Sequence, residues 1–203
     1  CTSADQVFLQ IEHRLQHLES IVDTHLQQFL HAVFKPLFKD VRKWSEQHWP
    51  ANNLHEELPK TKQTLSPSDF GFHNSLLQND GRLCFLDLEY FGWDDPVKLI
   101  ADFIWHPAMN LNETQKKRWV QECFKIFGQT EQMQQRFHAA WPLYGMRWVM
   151  IMLNEFRIDG WRKKIYVDEN IEQNREQILS GQIEKANAVC ALIKFHQMEC
   201  PYV

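Results

Sequence analysis

The chain has 203 residues, of which 44% are hydrophobic and 24% are charged, and its formal net charge is -4 at neutral pH. This composition is typical of a globular protein large enough to bury a substantial core, and it excludes a disordered chain. A weakly acidic chain has no electrostatic attraction for nucleic acid or an anionic membrane, and no apolar run approaches the roughly 18 residues that a bilayer span needs. We therefore expect neither partner.

The five cysteines are odd in number and have no short repeated spacing. They predict neither a disulfide framework nor a zinc module. No stretch resembles a signal peptide, so a reducing cytoplasm is the expected location. The chain opens at Cys1 and not at Met, which suggests a piece of a longer protein. The oligomeric state stays open.

Residues 1–48 are predicted to form N-terminal helices. Apolar residues recur at three- and four-residue spacing from Asp5 to Val33, the pattern of one long amphipathic helix, and Ser3 is placed to cap it. Proline disfavours a helix interior, so Pro36 predicts a kink or break, followed by a second helical piece to about Gln47. The polar residues after it, up to position 68, are expected to form a loop with one helical turn at most.

The pattern then changes to two short strand-forming runs, at residues 75–78 and 82–88. The sequence between them is Asn-Asp-Gly, and Asp and Gly tolerate the positive φ that tight turns require. These residues therefore predict a β-hairpin.

Residues 96–203 are predicted to form a C-terminal helical region. Asn112 and Gln115 have the spacing of a capping box, residues 144–156 are densely apolar, and an apolar stripe from Ile171 to Ile193 indicates a long last helix. The expected fold class is mainly α with a small β-hairpin.

One loop carries residue types suited to phosphoryl transfer. Asp69 and Asn74 have the D-x-x-x-x-N spacing of a kinase catalytic loop. Such a loop needs a carboxylate that positions the attacking hydroxyl and accepts its proton, and a neutral oxygen ligand for Mg²⁺. The predicted hairpin returns the chain so that Asp87 supplies a second oxygen ligand, as the octahedral preference of Mg²⁺ requires. The alternative is that these residues only cap turns.

Three linked segments resemble the aminoglycoside phosphotransferase and choline kinase superfamily: residues 68–74, residues 85–90 with the sequence FLDLEY, and residues 92–96 with the sequence GWDDP. The resemblance covers residues 65 to about 103. It implies that the whole chain, 1–203, is one helical, C-terminal lobe of a protein-kinase-like fold, in which residues 65–95 hold the catalytic loop, the hairpin and the metal-binding segment.

The resemblance also implies roles for individual residues. Asp69 would be the catalytic base, and Asn74 and Asp87 would hold Mg²⁺ on the phosphates of ATP or GTP. The reaction would be transfer of the γ-phosphate to a hydroxyl of a small acceptor, for which a sugar or an amino alcohol is the family-level expectation.

Three further positions are candidates. Asp102, on the helix that follows the third segment, is the candidate for bracing the loop by receiving its backbone donors. Later helices of the family help to form the acceptor pocket, so Asn154 and Glu155 are candidates for facing the substrate. Capping and interhelical hydrogen bonds explain these two residues about as well.

The chain departs from the family pattern in two places. The family has a histidine two residues before the base, where its ring braces the loop against the metal-binding segment, and this chain has Pro67 there. Neither a glycine-rich phosphate loop nor a strand lysine precedes Asp69, so the N-terminal lobe that grips ATP is expected to be absent, and activity would belong to a longer protein. The alternative function is a non-catalytic kinase-fold module that binds a small molecule or a protein partner.

Overall fold

The structure is a computed structural model that describes residues 1–158, Trp161, Glu172 and residues 174–202. The described residues are mainly helical, which confirms the coarse fold class, and they contain two small antiparallel sheets. The helices are α1 (Ala4–Glu19), α2 (Thr24–Phe29), α3 (Lys35–His48), α4 (Pro96–Trp105), α5 (Glu113–Phe127), α6 (Glu131–Met152) and α7 (Arg175–Phe195). The strands are β1 (Thr64–Ser66), β2 (Ser75–Leu77), β3 (Leu83–Phe85) and β4 (Gly92–Asp94).

The prediction of one long first helix is wrong, because residues 20–23 separate α1 from α2. Asp23 is extended and caps α2 through its side chain. The side-chain amide of Gln27 donates to the Leu18 carbonyl at 3.0 Å, which satisfies one of the carbonyl groups left open at the end of α1. The apolar spacing continues across the break, but Val22, a member of that stripe, is fully exposed.

Pro36 changes the hydrogen bonding of the helix without interrupting its path. A π-helical turn, Leu30–Phe34, joins α2 directly to α3, and Pro36 is the second residue of α3. The Lys35 N–H donates to the Leu30 carbonyl five residues back, and Pro36, which has no N–H, leaves the next backbone bond of the continuous helix unmade. The predicted break is therefore only a local change from α to π hydrogen bonding.

The predicted hairpin is confirmed, and a second sheet accompanies it. In the hairpin, β2 and β3 pair with Ser75 opposite Phe85, although each strand has only three residues. The segment predicted as loop after α3 ends in β1, which pairs with β4 so that Ser66 lies opposite Gly92. The two sheets hold the segment from β1 to β4 against the start of α4.

The hydrophobic core is built around α6, which packs against α1, α3, α4 and α7. Trp141 and Tyr144 of α6 are fully buried. Gly145 allows the neighbouring helices to approach closely, because a Cβ there would lie 2.8 Å from Ile193 Cδ1 and 2.9 Å from Trp105 Cζ2. This packing places α4, which directly follows the two sheets, on a rigid helical layer.

Two predicted helix caps are confirmed. Ser3 accepts from the Gln6 N–H at the start of α1, and Asn112 and Gln115 form a reciprocal capping box at the start of α5. The long last helix is present as α7, whereas Ile171 lies outside the described residues. Within the described ranges, no helix has the length and apolar character to cross a bilayer.

Candidate functional site

The three predicted phosphotransfer residues lie in the 66–74 loop and directly after the hairpin of β2 and β3. The side-chain amide of Asn74 donates to the Asp69 carbonyl at 3.0 Å and closes the loop on itself. The Asn74 carbonyl accepts from the Leu86 N–H at 2.8 Å, so backbone pairing continues one step past β2 and β3 and places Asp87 beside this junction. Because the amide nitrogen is used within the loop, the Asn74 side-chain oxygen is the atom suited to a cation.

The negative charges of Asp69 and Asp87 both contribute to the pKa of Tyr90. A hydrogen bond with Glu89, and then the negative charges of Glu89, Asp87 and Asp69, raise the pKa of Tyr90. Glu89, the residue next to Tyr90, has the largest effect, and Asp87 and Asp69 have the smallest.

Two non-glycine residues at the site have left-handed backbone conformations: φ is 66° at Ser68 and 57° at Asp87. The Asp69 N–H donates to the Pro67 carbonyl at 2.8 Å, which makes Ser68 the central residue of a γ-turn with positive φ. Such conformations cost about 1 to 2 kcal/mol per residue and persist only where surrounding contacts hold them.

Aromatic packing fixes the loop to the helical layer. The ring centroid of Phe70 lies 4.6 Å from that of Phe85 on β3 and 5.7 Å from that of Phe103 on α4. Phe103 in turn stacks on Trp119 of α5 at 4.0 Å. The residue that follows Asp69 is therefore anchored to three elements at once.

Two histidines flank the Asp69 carboxylate. His73 Nε2 lies 3.1 Å from Asp69 Oδ1, and Nε2 of His106, the residue after α4, lies 3.7 Å from the same oxygen. The two imidazole rings stack with their centroids 4.1 Å apart. Burial, and then the positive charge that His73 can carry, lower the pKa of His106, so its ring is favoured in the neutral form.

The Asp69, His73 and His106 side chains satisfy the distance requirement for a metal site, since one ligand atom of each lies within 4.8 Å of the others. Their orientation does not suit one. The Ala108 N–H donates to His106 Nδ1 at 3.0 Å, which places the proton of the neutral ring on Nε2, the atom that faces Asp69. The near-parallel rings also prevent their lone pairs from converging on one ion. The cluster is better suited to holding the Asp69 carboxylate.

Asp102 is buried in a polar network behind the loop. Its Oδ1 accepts from Arg147 at 2.8 Å and from the Trp148 indole at 2.9 Å, and its Oδ2 lies 3.2 Å from Lys98 Nζ. Lys98 also donates to Ser68 Oγ at 3.1 Å. In the described contacts, Asp102 therefore reaches the loop through a lysine and not, as expected, through backbone donors of the loop.

These contacts form a closed chain around Asp69, because the edge of the Trp148 ring also meets the His106 ring with centroids 4.5 Å apart. We call the closed chain the loop brace, and its members, in order, are Lys98, Ser68, Asp69, His73, His106, Trp148 and Asp102.

The two predicted pocket residues lie on a short 3-10 turn after α6, Leu153–Phe156. Asn154 Oδ1 accepts from Arg14 of α1 at 3.1 Å, so this side chain joins two helices. Glu155 is half-buried in the same turn. Burial, and then the positive charge of Arg147, lower the pKa of Arg14. Asn154 is thus held by α1, and the described contacts do not join it to the 66–74 loop.

The segment that carries the site has many exposed apolar side chains. Among the described residues, fifteen large hydrophobic side chains are exposed, and ten of them fall between residues 65 and 93. An excess of exposed apolar side chains in one segment is typical of a segment that binds a partner. The ten, which we call the apolar face, are Leu65, Phe72, Leu76, Leu77, Leu83, Leu86, Leu88, Tyr90, Phe91 and Trp93.

Sequence reasoning missed Lys98 and His106. A lysine is almost never fully buried unless it is paired, so its burial here was unexpected. One signal was present: Lys98 stands four residues from both Asp94 and Asp102, the spacing of neighbours on a helix face. His106 reaches Asp69 only because the loop folds back over the end of α4, which no local pattern indicates.

No family model matches the chain, and neither a curated protein nor a solved structure matches it. The function is therefore argued from the site, since a fold alone does not identify an activity.

Proposed function

We propose that this chain is the helical, catalytic-loop lobe of a protein-kinase-like phosphotransferase that acts on a small molecule. Asp69 is the base, and Asn74 and Asp87 are the Mg²⁺ ligands. The observation that carries the proposal is the junction at Asn74, whose side chain donates to the Asp69 carbonyl at 3.0 Å and whose carbonyl accepts from the Leu86 N–H at 2.8 Å. Local hydrogen bonds thus bring together the three residue types that the chemistry needs.

The donor set fits a hard cation. Asp87 offers a carboxylate and Asn74 an amide oxygen, the two ligand types that Mg²⁺ prefers. Mg²⁺, when bound, neutralises the developing charge on the transferred phosphate. No histidine or cysteine is needed at this position, in keeping with the preference of Mg²⁺ for oxygen.

Asp69 has the placement of a general base. Its side chain is 43% exposed, so an acceptor can reach it, while His73 holds one carboxylate oxygen at 3.1 Å. The other oxygen is directed to the acceptor hydroxyl and takes its proton as the hydroxyl oxygen bonds to the γ-phosphorus. The bond from that phosphorus to the nucleotide's bridging oxygen breaks, and the nucleoside diphosphate leaves.

The proposed enzyme needs a second lobe for the nucleotide. Residues 1–63 of this chain form helices, short turns and loops, and they supply no sheet to cover ATP or GTP. The apolar face belongs to the same segment of the chain as Asn74 and Asp87, and such a lobe would cover its exposed side chains. A sugar or an amino alcohol as acceptor is carried over from the family resemblance.

A second candidate function is a non-catalytic kinase-fold module that binds a partner protein. The apolar face favours it as well, because a surface with this many exposed hydrophobic side chains is suited to protein association. Pro67, in the place of the family's bracing histidine, is a further argument for this reading.

A thermal-shift titration with nucleotide and Mg²⁺ tests the proposal. A ligand that binds only the folded chain at tenfold above its Kd adds about 1.4 kcal/mol, or roughly 3 to 6 °C in Tm. We expect Mg²⁺ with ATP or GTP to raise Tm and EDTA to abolish the rise. Because residues 1–63 supply no sheet to cover the nucleotide, Mn²⁺ with nucleotide should also be followed by NMR, where broadening of the Asn74 and Asp87 amide signals reports even weak binding.

The matched variants are Asp87→Asn, which replaces a proposed carboxylate ligand by a neutral amide, and Asp80→Asn, which removes the same charge at the turn of the preceding hairpin. We expect the first to lose the Mg²⁺-dependent shift and the second to keep it. Equal shifts in both variants would contradict the metal role of Asp87. If no nucleotide produces a shift or a broadening, the result favours the binding module.

A further inference from the structure

Lys98 is a buried cation whose partners come from three segments. Its Nζ lies 2.8 Å from Asp94 Oδ2 on β4, 3.2 Å from Asp102 Oδ2 one turn further along α4, and 3.1 Å from Ser68 Oγ in the loop. The side chain is 3% exposed. An ammonium group has three N–H donors, so each has a partner.

The Asp94 carboxylate lies between Lys98 and the N-terminal ammonium of Cys1, whose nitrogen is 2.5 Å from Asp94 Oδ1. Burial by itself raises the pKa of Asp94, but the charges and hydrogen bonds of these two cations together more than offset it, and the pKa is lowered. The contact from the Lys98 ammonium to Ser68 is a charge-assisted hydrogen bond.

Ser68 is a residue that needs such a contact. It is the central residue of the γ-turn, with φ at 66°, and it is not glycine. The Ser68 N–H donates to Ser66 Oγ at 3.1 Å, and its hydroxyl is held by Lys98. The strained turn is therefore held through both its backbone and its side chain. The turn sets the direction in which the chain enters Asp69.

Lys98 also makes a connection that Pro67, which stands in place of the family's histidine, cannot make. Pro67 has no side-chain group that can form a hydrogen bond, so the residue two places before Asp69 cannot tie the loop to a neighbouring segment. Lys98 makes a connection of this kind, since it joins the loop to β4 and to α4. We propose that Lys98 is a positioning residue for Asp69 and acts through Ser68, an inference that rests on the proposed role of Asp69 as base.

Amide exchange at Asp69, measured by NMR, tests this role. The Asp69 N–H closes the γ-turn by donating to the Pro67 carbonyl, so its exchange rate reports the turn directly. Ser68→Ala removes the hydroxyl and leaves the ion pairs of Lys98 intact, whereas Lys98→Met removes the ammonium at similar volume. We expect each variant to speed exchange at Asp69 about tenfold, roughly the loss of one hydrogen bond's net contribution.

The double variant separates positioning from general stability. If both substitutions remove the same contact, Ser68→Ala combined with Lys98→Met will exchange at Asp69 no faster than the faster single variant. A purely structural lysine would instead speed exchange throughout α4 and α6 and would leave Ser68→Ala silent at Asp69. The proposal is overturned if the two increases in exchange rate multiply in the double variant. It is also overturned if the exchange rate of the Asp69 amide is unchanged in Ser68→Ala.

If Lys98→Met does not fold, the exchange rate of the Asp69 amide in Ser68→Ala alone tests the proposal. The measurement needs neither metal nor nucleotide, so its result is independent of the titration that tests the proposed function. A positive exchange result together with a failed titration would keep Lys98 as the brace of this turn and remove the role of Asp69 as base.

Discussion

The two halves of the candidate site are held in different ways. The base half, around Asp69, lies within the loop brace and is tied to α4 and α6 through the buried Lys98 and Asp102. The proposed metal half, with Asp87 and Glu89, is exposed and follows a hairpin whose strands have three residues each. The packing of the chain therefore holds the loop of Asp69, whereas the segment of Asp87 is exposed.

The largest expected effect comes from removing the buried carboxylate of the base half. Asp102→Ala leaves Lys98 and Arg147 without their shared partner, and breaking a buried pair in this way costs about 3 to 5 kcal/mol. Urea denaturation followed by circular dichroism measures the loss. Glu89→Ala, an exposed carboxylate of the metal half, should leave the midpoint unchanged. Similar losses in both variants would mean that the two halves are equally integrated.

A second comparison uses two glycines. A Cβ on Gly71, in the base half, would lie 1.7 Å from Met109 Cε and 2.8 Å from His73 Nδ1, so both side chains must move. We expect Gly71→Ala to cost about 1 to 3 kcal/mol. A Cβ on Gly92 would meet nothing closer than the Tyr90 carbonyl at 4.0 Å, so Gly92→Ala should be tolerated. Calorimetry measures the Tm of each variant. Equal Tm values for the two variants would contradict the tight packing of the base half.

The base half should also give the lobe a pH dependence. Burial and the neighbouring His73 lower the pKa of His106, although the negative charges of Asp69 and Asp102 act against them. As pH falls below the usual histidine value of about 6.5, the unfolded chain therefore binds the proton more readily than the folded chain, and stability is lost.

The His106→Gln variant should reduce this slope of unfolding free energy between pH 7 and pH 5. A slope remains, because burial and the nearby His48 also lower the pKa of His138. His25→Gln changes an exposed histidine of α2 and is the matched control, expected to keep the full slope. An unchanged slope in His106→Gln would show that folding does not require the neutral form of His106.

The smallest expected effect concerns the backbone of the metal half. Asp87 has φ at 57°, which glycine adopts without penalty and alanine does not. Asp87→Gly should therefore be more stable than Asp87→Ala by about 1 kcal/mol, while both lose the Mg²⁺-dependent thermal shift. Urea midpoints give the difference, and an alanine variant as stable as the glycine variant would argue against the left-handed backbone.

The features that the sequence predicted correctly depend on contacts a few residues apart. The Asn-Asp-Gly turn places Gly81 at φ 83°, as tight-turn chemistry requires, and the hairpin follows from it. The capping box of Asn112 and Gln115 is equally local. The closeness of Asn74 and Asp87 was predictable for the same reason, because a hairpin with a short turn returns the chain to its starting point.

The missed features depend on contacts between distant segments. The pairing of β1 with β4 joins three-residue strands that are about 26 residues apart, and strands this short carry no periodic signal. The burial of Lys98 requires acceptors from Asp94, Asp102 and Ser68 together, which only the assembled fold provides. Sequence reasoning could name Asp69 but not the contacts that hold it.

The loop brace contains an intrinsic fluorophore. Trp148 donates its indole N–H to Asp102 and meets the His106 ring edge-on, so its light emission depends on the same contacts that hold Asp69. A protonated imidazole quenches indole emission more strongly than a neutral one. The difference between the spectra of the parent chain and of Trp148→Phe therefore isolates one tryptophan among eight and follows loop opening optically, without any substrate.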